Sequence, residues 1–490
     1  MRILMVSAEA APFAKTGGLA DAVSALSIAL SKLGHDVRIV MPRYYKIDRA
    51  KLEKLEGPMG VPCGYTEEWT AVYTTNMPGA DKVKVYFIDN EKCFGRDGVY
   101  GVPSDPDFSD NPFRFSLLCN GAFQLCRKLD WYPDIIHAHD WSAALAPVLL
   151  RFNERHGGFA HTASVFTIHN LGYQGVYSKH SYPLLGVDWN HFYSAGFEDY
   201  DRINFLKSGL ISSDVLTTVS PTYAREIQTP EGGFGLDGIL RSRSGDLRGI
   251  LNGVDTEVWN PSKDTCIAKT YTARTVASGK AANKKALQEQ MGLEVNPDIP
   301  LFGIVTRLVD QKGIAELFAP TYGSTYSMCA NMRIQMVVLG SGESWCENEL
   351  RTLNNSLSNF CAYIGYNEKL SHLIEAGSDF FLMPSHYEPC GLNQMYSLLY
   401  GTLPIVRRTG GLNDTVQNYN EATGEGTGFT LDYLSPNSLY DTVGWAVYAW
   451  YNKKDHIAQM RKRAMAQNFG WDVSAKQYMD LYESVLKRFN

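Results

Sequence analysis

Short apolar segments alternate with amphipathic helical patterns along most of this chain. Residues 2–7 and 36–41 have the character of buried strands, and apolar residues recur at helical spacing from 19 to 33. Further strands are predicted at 82–88, 134–138, 164–168, 215–219 and 249–251, with helices at 112–129 and 141–153. This alternation predicts a mostly parallel α/β sheet covered by helices on both faces.

The alternation restarts at residue 300, which predicts a second domain. Its expected strands lie at 300–306, 333–339, 361–364, 380–383 and 404–406. A chain of 490 residues is too long for one ordinary hydrophobic core, so the predicted domains are 1–255 and 256–470. The polar stretch 259–285 is interpreted as a linker, and 471–490 as a terminal helix with an apolar face. Two doubly wound domains predict a ligand at the carboxyl ends of both sheets, facing a shared cleft.

Composition and charge exclude several classes of protein. Hydrophobic residues make up 44% and charged residues 20%, which is typical of a soluble globular chain. The net charge of −6, without a Lys/Arg-rich block, argues against a nucleic-acid partner, and no apolar run is long enough to span a membrane. The nine cysteines are odd in number and lack C-x-x-C spacing, so we expect reduced thiols and a cytoplasmic protein.

A glycine-rich run, Lys15-Thr16-Gly17-Gly18-Leu19, lies between the first predicted strand and the first helix. Glycines allow close approach of the backbone, and free N–H groups at a helix N-terminus favour an anion. The alternative is a simple turn with a surface lysine. The run lacks the spacing of a dinucleotide-binding fingerprint, and no acidic residue ends the second strand.

Polar residues end two more predicted strands of the first domain. His137 and His139 share one face of a strand, and Asp140 is placed to cap the following helix. Two histidines and an aspartate could bind a metal, but no third ligand cluster supports one, so no metal site is predicted. Groups that bind sugar hydroxyls are the preferred interpretation. His169 ends the next strand, where it either binds a ligand or is an ordinary turn histidine.

In the second domain, charged residues follow two predicted strands. Arg307 and Lys312 are five residues apart and suit a diphosphate, or else belong to a solvated loop. Glu388 precedes a helix predicted to begin at Gly391, where its charge is favoured even without a function.

Taken together, the ordered motifs resemble the glycogen and starch synthase family, over nearly the whole chain. The resemblance is carried by Ser7-Ala8-Glu9, Lys15 to Asp21, His137-Ala138-His139-Asp140-Trp141, Thr167-Ile168-His169-Asn170, Leu251-Asn252-Gly253-Val254-Asp255, Asp310-Gln311-Lys312-Gly313, Glu388-Pro389-Cys390-Gly391-Leu392-Asn393-Gln394 and Thr409-Gly410-Gly411-Leu412.

The resemblance implies a GT-B architecture, with two Rossmann-like domains and a C-terminal helix that returns to the first. It implies transfer of glucose from ADP-glucose to the non-reducing end of an α-1,4-glucan, such as glycogen or a maltooligosaccharide, with retention of configuration. No cofactor or metal is required. Because no extension precedes Met1, a bacterial-type enzyme acting on glycogen is expected.

The resemblance also implies roles for individual residues. Arg307 and Lys312 would neutralise the leaving diphosphate, Glu388 would orient the donor, and His169 and Asp140 would contact glucose or acceptor hydroxyls. The implied donor-binding residues are Lys15, Gly17, Gly18, Tyr366 (stacked on adenine), Gly391 and Leu392, and Asp21 would contact a sugar or the acceptor.

Two other functions compete with this interpretation. Another GT-B enzyme, such as a sucrose-type synthase or a small-molecule glucosyltransferase, would keep the fold and change the acceptor. A non-catalytic glucan-binding protein would lack key charges, yet Lys15, Arg307, Lys312 and Glu388 are all present. Nothing in the residues themselves chooses between ADP and UDP.

Overall fold

A computed structural model describes residues 1–489 and divides into two compact units. The first comprises Met1–Gly253 together with the C-terminal segment that begins at Trp471, and the second comprises Val254–Gly470. Each unit has its own sheet and its own apolar core.

The first unit is built on a ten-stranded sheet and a small antiparallel sheet of three strands. The strands are β1 (Arg2–Val6), β2 (Asp36–Pro42), β3 (Glu53–Lys54), β4 (Met59–Cys63), β5 (Thr66–Met77), β6 (Ala80–Asp89), β7 (Ile135–His139), β8 (Ala163–Ile168), β9 (Val176–Ser178), β10 (Glu198–Asp199), β11 (Arg202–Asn204), β12 (Val215–Thr218) and β13 (Leu247–Gly249). The helices are α1 (Gly18–Lys32), α2 (Glu91–Phe94), α3 (Asn111–Lys128), α4 (Leu145–Leu149), α5 (Phe205–Ser212), α6 (Pro221–Glu226) and α7 (Asp237–Ser242).

The strand order of the large sheet is β13-β12-β8-β7-β1-β2-β6-β5-β3, with β4 paired to β5. Strands from β13 to β6 are parallel, as the alternation predicted. The antiparallel extension β3–β5 was missed. Its long strand β5 alternates buried and accessible residues and has few large apolar ones, so it lacks the apolar run that marks a strand covered on both faces.

The predicted helix 141–153 is broken into three pieces. A 3₁₀ turn at Trp141–Ala143 is followed by α4 and then by one π turn at Leu150–Glu154. The apolar pattern is therefore continuous along the chain, whereas the hydrogen-bond spacing is not.

The second unit is a six-stranded sheet, parallel throughout, in the order β16-β15-β14-β17-β18-β19. Its strands are β14 (Leu301–Leu308), β15 (Gln335–Gly342), β16 (Phe360–Ile364), β17 (Phe380–Met383), β18 (Leu403–Arg407) and β19 (Phe429–Leu431). Its helices are α8 (Val276–Gln290), α9 (Ile314–Phe318), α10 (Ser324–Asn331), α11 (Ser344–Ser356), α12 (Glu368–Gly377), α13 (Asn393–Leu399), α14 (Gly410–Thr415), α15 (Pro436–Asn452) and α16 (Lys454–Met465).

Both faces of this second sheet are covered. Along β15, Met336 and Val338 belong to one buried apolar cluster, whereas Val337 and Leu339 belong to another. Because successive strand residues point to opposite faces, the two clusters lie on opposite sides of the sheet. This double burial explains why the strands could be recognised as apolar runs.

The last helix, α17 (Trp471–Leu486), packs on the first unit. Its buried face includes Tyr478 and Tyr482, and Ser474 Oγ donates to the carbonyl of Leu251 at 2.5 Å. Among residues 1–489, no helix combines the length and the apolar character needed to cross a membrane.

The segment interpreted as a linker instead belongs to the second unit, and two of its side chains, those of Trp259 and Asp264, pack within that unit. The Trp259 ring is sandwiched between His372 and Tyr396, with both centroid distances at 3.8 Å and the rings nearly parallel. Asp264 is buried and accepts hydrogen bonds from His372 at 2.7 Å and Tyr400 at 2.5 Å. The linker prediction was wrong because polar residues here serve buried hydrogen bonds rather than solvent.

We expect Trp259→Ala to destabilise the second unit by about 3 kcal/mol, since it removes two stacked contacts and leaves a void. Differential scanning calorimetry of the whole chain measures the loss. Trp345→Ala is the matched control in the same unit, because Trp345 is 39% exposed and should cost much less. Equal shifts for the two variants would contradict a packed role for Trp259.

Candidate active site

In the parallel part of each sheet, the strand order reverses at one place, and most of the predicted site residues follow the strands at or beside it. In the first unit β1 lies between β2 and β7, and in the second β14 lies between β15 and β17. Connections leave in opposite directions at such a point, which opens a crevice at the carboxyl ends of the two strands.

In the first unit, the loop after β1 is fastened by Glu9, whose residue is only 2% exposed. One carboxylate oxygen accepts the Thr16 backbone N–H, and the other accepts the hydroxyls of Thr16 at 2.7 Å and Tyr100 at 2.8 Å. The Thr16 N–H is therefore already used, and the amides left for an anion are those of Gly17 and Gly18. Sequence reasoning gave Glu9 no role, although an acidic residue beside a buried strand was a visible signal.

Helix α1 begins at Gly18, and no side chain caps it at Gly17. Lys15 and Asp21 form an ion pair across this end, with Nζ to Oδ2 at 2.7 Å, and Lys15 is exposed. The structure thus brings together two predicted residues that had been given separate roles. An arriving anion would compete with Asp21 for Lys15.

Asp140 lies directly after β7 with φ 57° and ψ −180°, a conformation rare for any residue other than glycine. The prediction that its side chain caps the following helix was wrong. The carboxylate Oδ1 instead accepts the backbone N–H of His169 at 2.7 Å, which ties the end of β7 to the end of β8. Strain of this kind is concentrated at functional sites.

Burial raises the pKa of Asp140 to about 7, although backbone N–H groups of His169 and Asn170 favour its charged form. The charge of Glu9 raises the pKa further. Asp140 therefore titrates near neutrality.

The three histidines of the predicted motifs form one buried array. The rings of His137 and His139 are stacked at 4.1 Å, which confirms that they share a face, and His139 Nδ1 lies 3.1 Å from His169 Nε2. His137 bonds Tyr482 at 2.7 Å and Thr167 at 2.5 Å. Burial lowers the pKa of His137 and of His169 to about 3, so these rings are neutral.

In the second unit, Lys312 and Glu388 meet although they are far apart in sequence. Lys312 Nζ lies 2.5 Å from Glu388 Oε2, and Ser385 Oγ donates to the same oxygen at 3.0 Å. Glu388 is 6% exposed. Within residues 1–489 no bond reaches its Oε1, so one carboxylate oxygen stays available to a ligand.

The pair is held because the loops after β14 and β17 are joined by backbone contacts. The His386 N–H donates to the Gln311 carbonyl at 2.9 Å. Gly313 has φ 71°, and a Cβ there would lie 2.1 Å from the Pro384 carbonyl oxygen. Only glycine fits this crossing, which explains the glycine after Lys312.

Arg307 and Tyr366 are not brought into this pair. Both are exposed, Tyr366 at 84%, and within the described residues the Arg307 guanidinium has no ion pair. Each is therefore open to a ligand of the second unit, the one as a cation and the other as an aromatic surface.

Gly391 does not begin a helix as predicted, since α13 starts at Asn393. The φ of Gly391 is 71°, which a right-handed helix does not allow, and a Cβ would lie 2.5 Å from Gln394 Oε1. Gly411 is pressed against the same loop, because a Cβ on it would lie 1.9 Å from the Cys390 carbonyl oxygen. These glycines allow close backbone packing around Glu388 and Leu392.

One further group within residues 1–489 could offer three metal-ligand atoms, namely Asp264, Cys266 and His372, all within 4.8 Å of one another. The Asp264 oxygen nearest His372 already accepts two side-chain hydrogen bonds. Asp264 and His372 therefore belong to the hydrogen-bonded and stacked cluster around Trp259 described above. The nine cysteines form no disulfide.

We expect Glu9→Ala to speed amide hydrogen exchange at Thr16 about tenfold or more, because it removes the acceptor of the Thr16 N–H. Exchange is followed by mass spectrometry of a peptide spanning 13–19. Asp21→Asn is the control, since it removes the exposed Lys15 pair and leaves the Glu9 bonds intact. Unchanged exchange in Glu9→Ala would contradict the fastening role.

The raised pKa of Asp140 predicts a pH-dependent cost. Between about pH 4 and 7 the folded state keeps a proton that the unfolded state releases, so stability falls as pH rises through this window. Asp140→Asn lacks this term. Its stability relative to the parent should therefore rise by about 2 kcal/mol from pH 5 to pH 8, or about 4–8 °C in melting temperature. Parallel pH profiles for the two proteins would show that the pKa is not raised.

Comparison with known proteins identifies the family to which this chain belongs. Two family models match, one described as the starch synthase catalytic domain over residues 2–242 and one described as glycosyl transferases group 1 over 288–464. Glycogen synthase of Treponema denticola is 65% identical over 488 residues, covering 100% of this chain and 99% of that protein. Glycogen synthase 1 of Geobacter metallireducens is 46% identical over 493 residues, covering 100% and 97%.

A solved structure is also similar over its full length. The catalytic domain of starch synthase IV from Arabidopsis thaliana, bound to ADP and acarbose, matches with a TM-score of 0.89 at 33% identity, covering 99% of each chain. The two α/β units with parallel sheets thus have the predicted GT-B architecture. On identity, coverage and fold together, the chain belongs to the glycogen and starch synthase family of glycosyltransferases.

Proposed function

We propose that this chain elongates an α-1,4-glucan by transferring glucose from ADP-glucose to its non-reducing end, with retention of configuration. The observation that carries the proposal is the largely buried Lys312–Glu388 pair at the strand-order reversal of the second unit. The exposed cation Arg307, which forms no ion pair within residues 1–489, lies at the end of the same strand, β14. Glycogen synthase relatives and a starch synthase bound to ADP and acarbose support the choice of donor and acceptor.

The proposal assigns the nucleotide sugar to the second unit, Val254–Gly470. Arg307 and Lys312 would neutralise the diphosphate, where most negative charge develops as the bond breaks. The exposed ring of Tyr366 would stack on adenine. Gly391 and Leu392 would offer backbone amides to the sugar or a phosphate.

Glu388 is proposed to orient the donor. Its Oε2 is held by Lys312 and Ser385, which leaves Oε1 to accept a hydrogen bond from a sugar or ribose hydroxyl. Lys312 is thereby pre-placed by a carboxylate and can turn part of its charge toward a phosphate. A rigid, pre-placed cation costs little reorganisation in the transition state.

The acceptor side is assigned to the first unit, which comprises Met1–Gly253 and the C-terminal segment that begins at Trp471. Asp140, His169 and Asp21 would contact glucose or acceptor hydroxyls, and burial next to fixed hydrogen bonds gives the first two a defined geometry. The amides of Gly17 and Gly18, with Lys15, would meet phosphate or donor-sugar oxygens.

Retention is proposed to occur by attack on the same face of the sugar. The C1–phosphate bond breaks, the acceptor O4–C1 bond forms, and the departing phosphate oxygen takes the acceptor's proton. A double displacement would instead show two carboxylates flanking the bond. The groups bonded to Glu388 are a lysine and a serine, and Lys312 occupies one of its oxygens.

The test is nucleoside-diphosphate release by the purified chain with glycogen as acceptor and ADP-glucose or UDP-glucose as donor. We expect glycogen-dependent ADP release that falls about 100-fold or more in Glu388→Gln, because the donor loses its orienting carboxylate. Glu289→Gln is the control, since Glu289 is an exposed glutamate of α8.

Equal or faster UDP release would overturn the donor assignment. No release with either donor, from folded protein that binds glycogen, would overturn the enzymatic assignment in favour of a different acceptor or a binding role. A trapped glucosyl–Glu388 adduct would replace same-face attack by double displacement.

A further inference from the structure

His139 has no role in the proposed reaction, yet it is buried and bonded to a residue that does. It is 1% exposed, and its Nδ1 lies 3.1 Å from His169 Nε2. Its other ring nitrogen, Nε2, is buried without a hydrogen-bond partner among residues 1–489. These two facts determine where the protons of both rings lie.

Exactly one proton lies between the two rings, because two N–H groups cannot bond each other and two bare nitrogens repel. If His169 Nε2–H donated, the single proton of neutral His139 would sit on its Nε2, as a buried N–H with no acceptor. Orphaned buried N–H groups are rarer in proteins than buried acceptors that lack a donor. The donor is therefore Nδ1–H of His139, and the unpartnered Nε2 is a bare lone pair.

We infer that His139 is a positioning residue, which holds His169 as the Nδ1–H tautomer and so makes it a hydrogen-bond donor to its ligand. Since His169 Nε2 accepts from His139, the proton of neutral His169 must sit on Nδ1. His169 is half-buried, and its Nδ1 forms no bond with the described residues. The group offered is thus an N–H, which suits a sugar hydroxyl or phosphate oxygen.

The ring of His139 is itself held in place by packing. It stacks on His137, whose two ring nitrogens form hydrogen bonds with Tyr482 of α17 and Thr167 of β8. The Thr167 hydroxyl also forms a hydrogen bond with the Thr217 hydroxyl, at 2.5 Å. His139 therefore cannot rotate to give its bare nitrogen a partner without disrupting the stacking on His137 and its hydrogen bonds. The terminal helix contributes through one phenol to the orientation of a site residue.

This inference rests on the proposed function for its mechanistic consequence. With a proton already on Nδ1, His169 cannot take the acceptor's proton there. The transferred proton must go elsewhere, which agrees with its delivery to the departing phosphate. His169 would stabilise an oxygen by donation throughout the reaction.

The direct test is nitrogen NMR of the ligand-free chain labelled with ¹⁵N-histidine, in which protonated and bare ring nitrogens have distinct shifts. His169→Gln assigns the His169 signals by their loss. We expect a protonated Nδ1 and a bare Nε2 for His169 in the parent protein. A protonated Nε2, or a doubly protonated ring at neutral pH, would overturn the inference without recourse to any further variant.

Variants of residue 139 test whether it sets the tautomer. His139→Asp replaces the donor with an acceptor at the place of Nδ1 and should move proton occupancy to His169 Nε2, whereas His139→Asn keeps an N–H donor there and should keep the parent pattern. His161→Leu is the control at an exposed histidine and should change nothing. Retention of the parent tautomer in folded His139→Asp would show that another group sets it.

Activity gives a separate readout. We expect kcat to fall about tenfold in His139→Asp and to be restored to within about threefold in His139→Asn, as for one lost hydrogen bond. The expected tautomer in a chain without transfer activity would refute the proposed function and uphold the role of His139. A protonated Nε2 on His169 in a chain that transfers glucose would refute the role of His139 and uphold the proposed function.

Discussion

Parallel strands all end at the same edge of their sheet, and the arrangement of functional groups in both units follows from this constraint. In the second unit, Lys312 follows β14 and Glu388 follows β17, 76 positions later in the chain. The two residues meet because these strands are neighbours at the place where the strand order reverses. In the first unit, the ends of β7 and β8 bring Asp140 and His169 together in the same way. Helices on both sheet faces leave this edge as the place where polar groups can gather.

At these sheet edges two of the predicted cations, Lys15 and Lys312, each form an ion pair with a carboxylate. Lys15 is paired with Asp21 in an exposed setting, where such a pair contributes little to stability. Lys312 is paired with Glu388 in a nearly buried setting, where removal of one partner would leave an uncompensated charge. The first pair can open at small cost when an anion arrives, whereas the second is a fixed part of the site. The two lysines therefore serve differently, although both precede glycines in similar loops.

The strands and helices of the parallel sheets were predictable from sequence because double burial leaves a continuous apolar run, as in β15 and β17. Strand β5 was not, since one accessible face dilutes its pattern, and Trp259 was not, since its stacking partners are far away in sequence. The residue types of the site, among them Glu388 and His169, were visible at strand ends. Their pairing was not, because hydrogen bonds such as Glu9 to Tyr100 join residues whose proximity depends on the whole sheet.

The same long-range bonds explain why the site tolerates unfavourable local conformations. Asp140 is held at a positive φ by a bond to the next strand, and Gly313 crosses another backbone where a side chain would clash. His139 keeps a buried nitrogen that has no partner in the described part of the chain, at a cost in free energy, because stacking on His137 prevents the ring from turning. Asp140 and His139 each orient His169, and Gly313 positions the loop that carries Lys312. Local sequence preference fails at these positions because the surrounding fold, rather than the residue itself, determines the geometry.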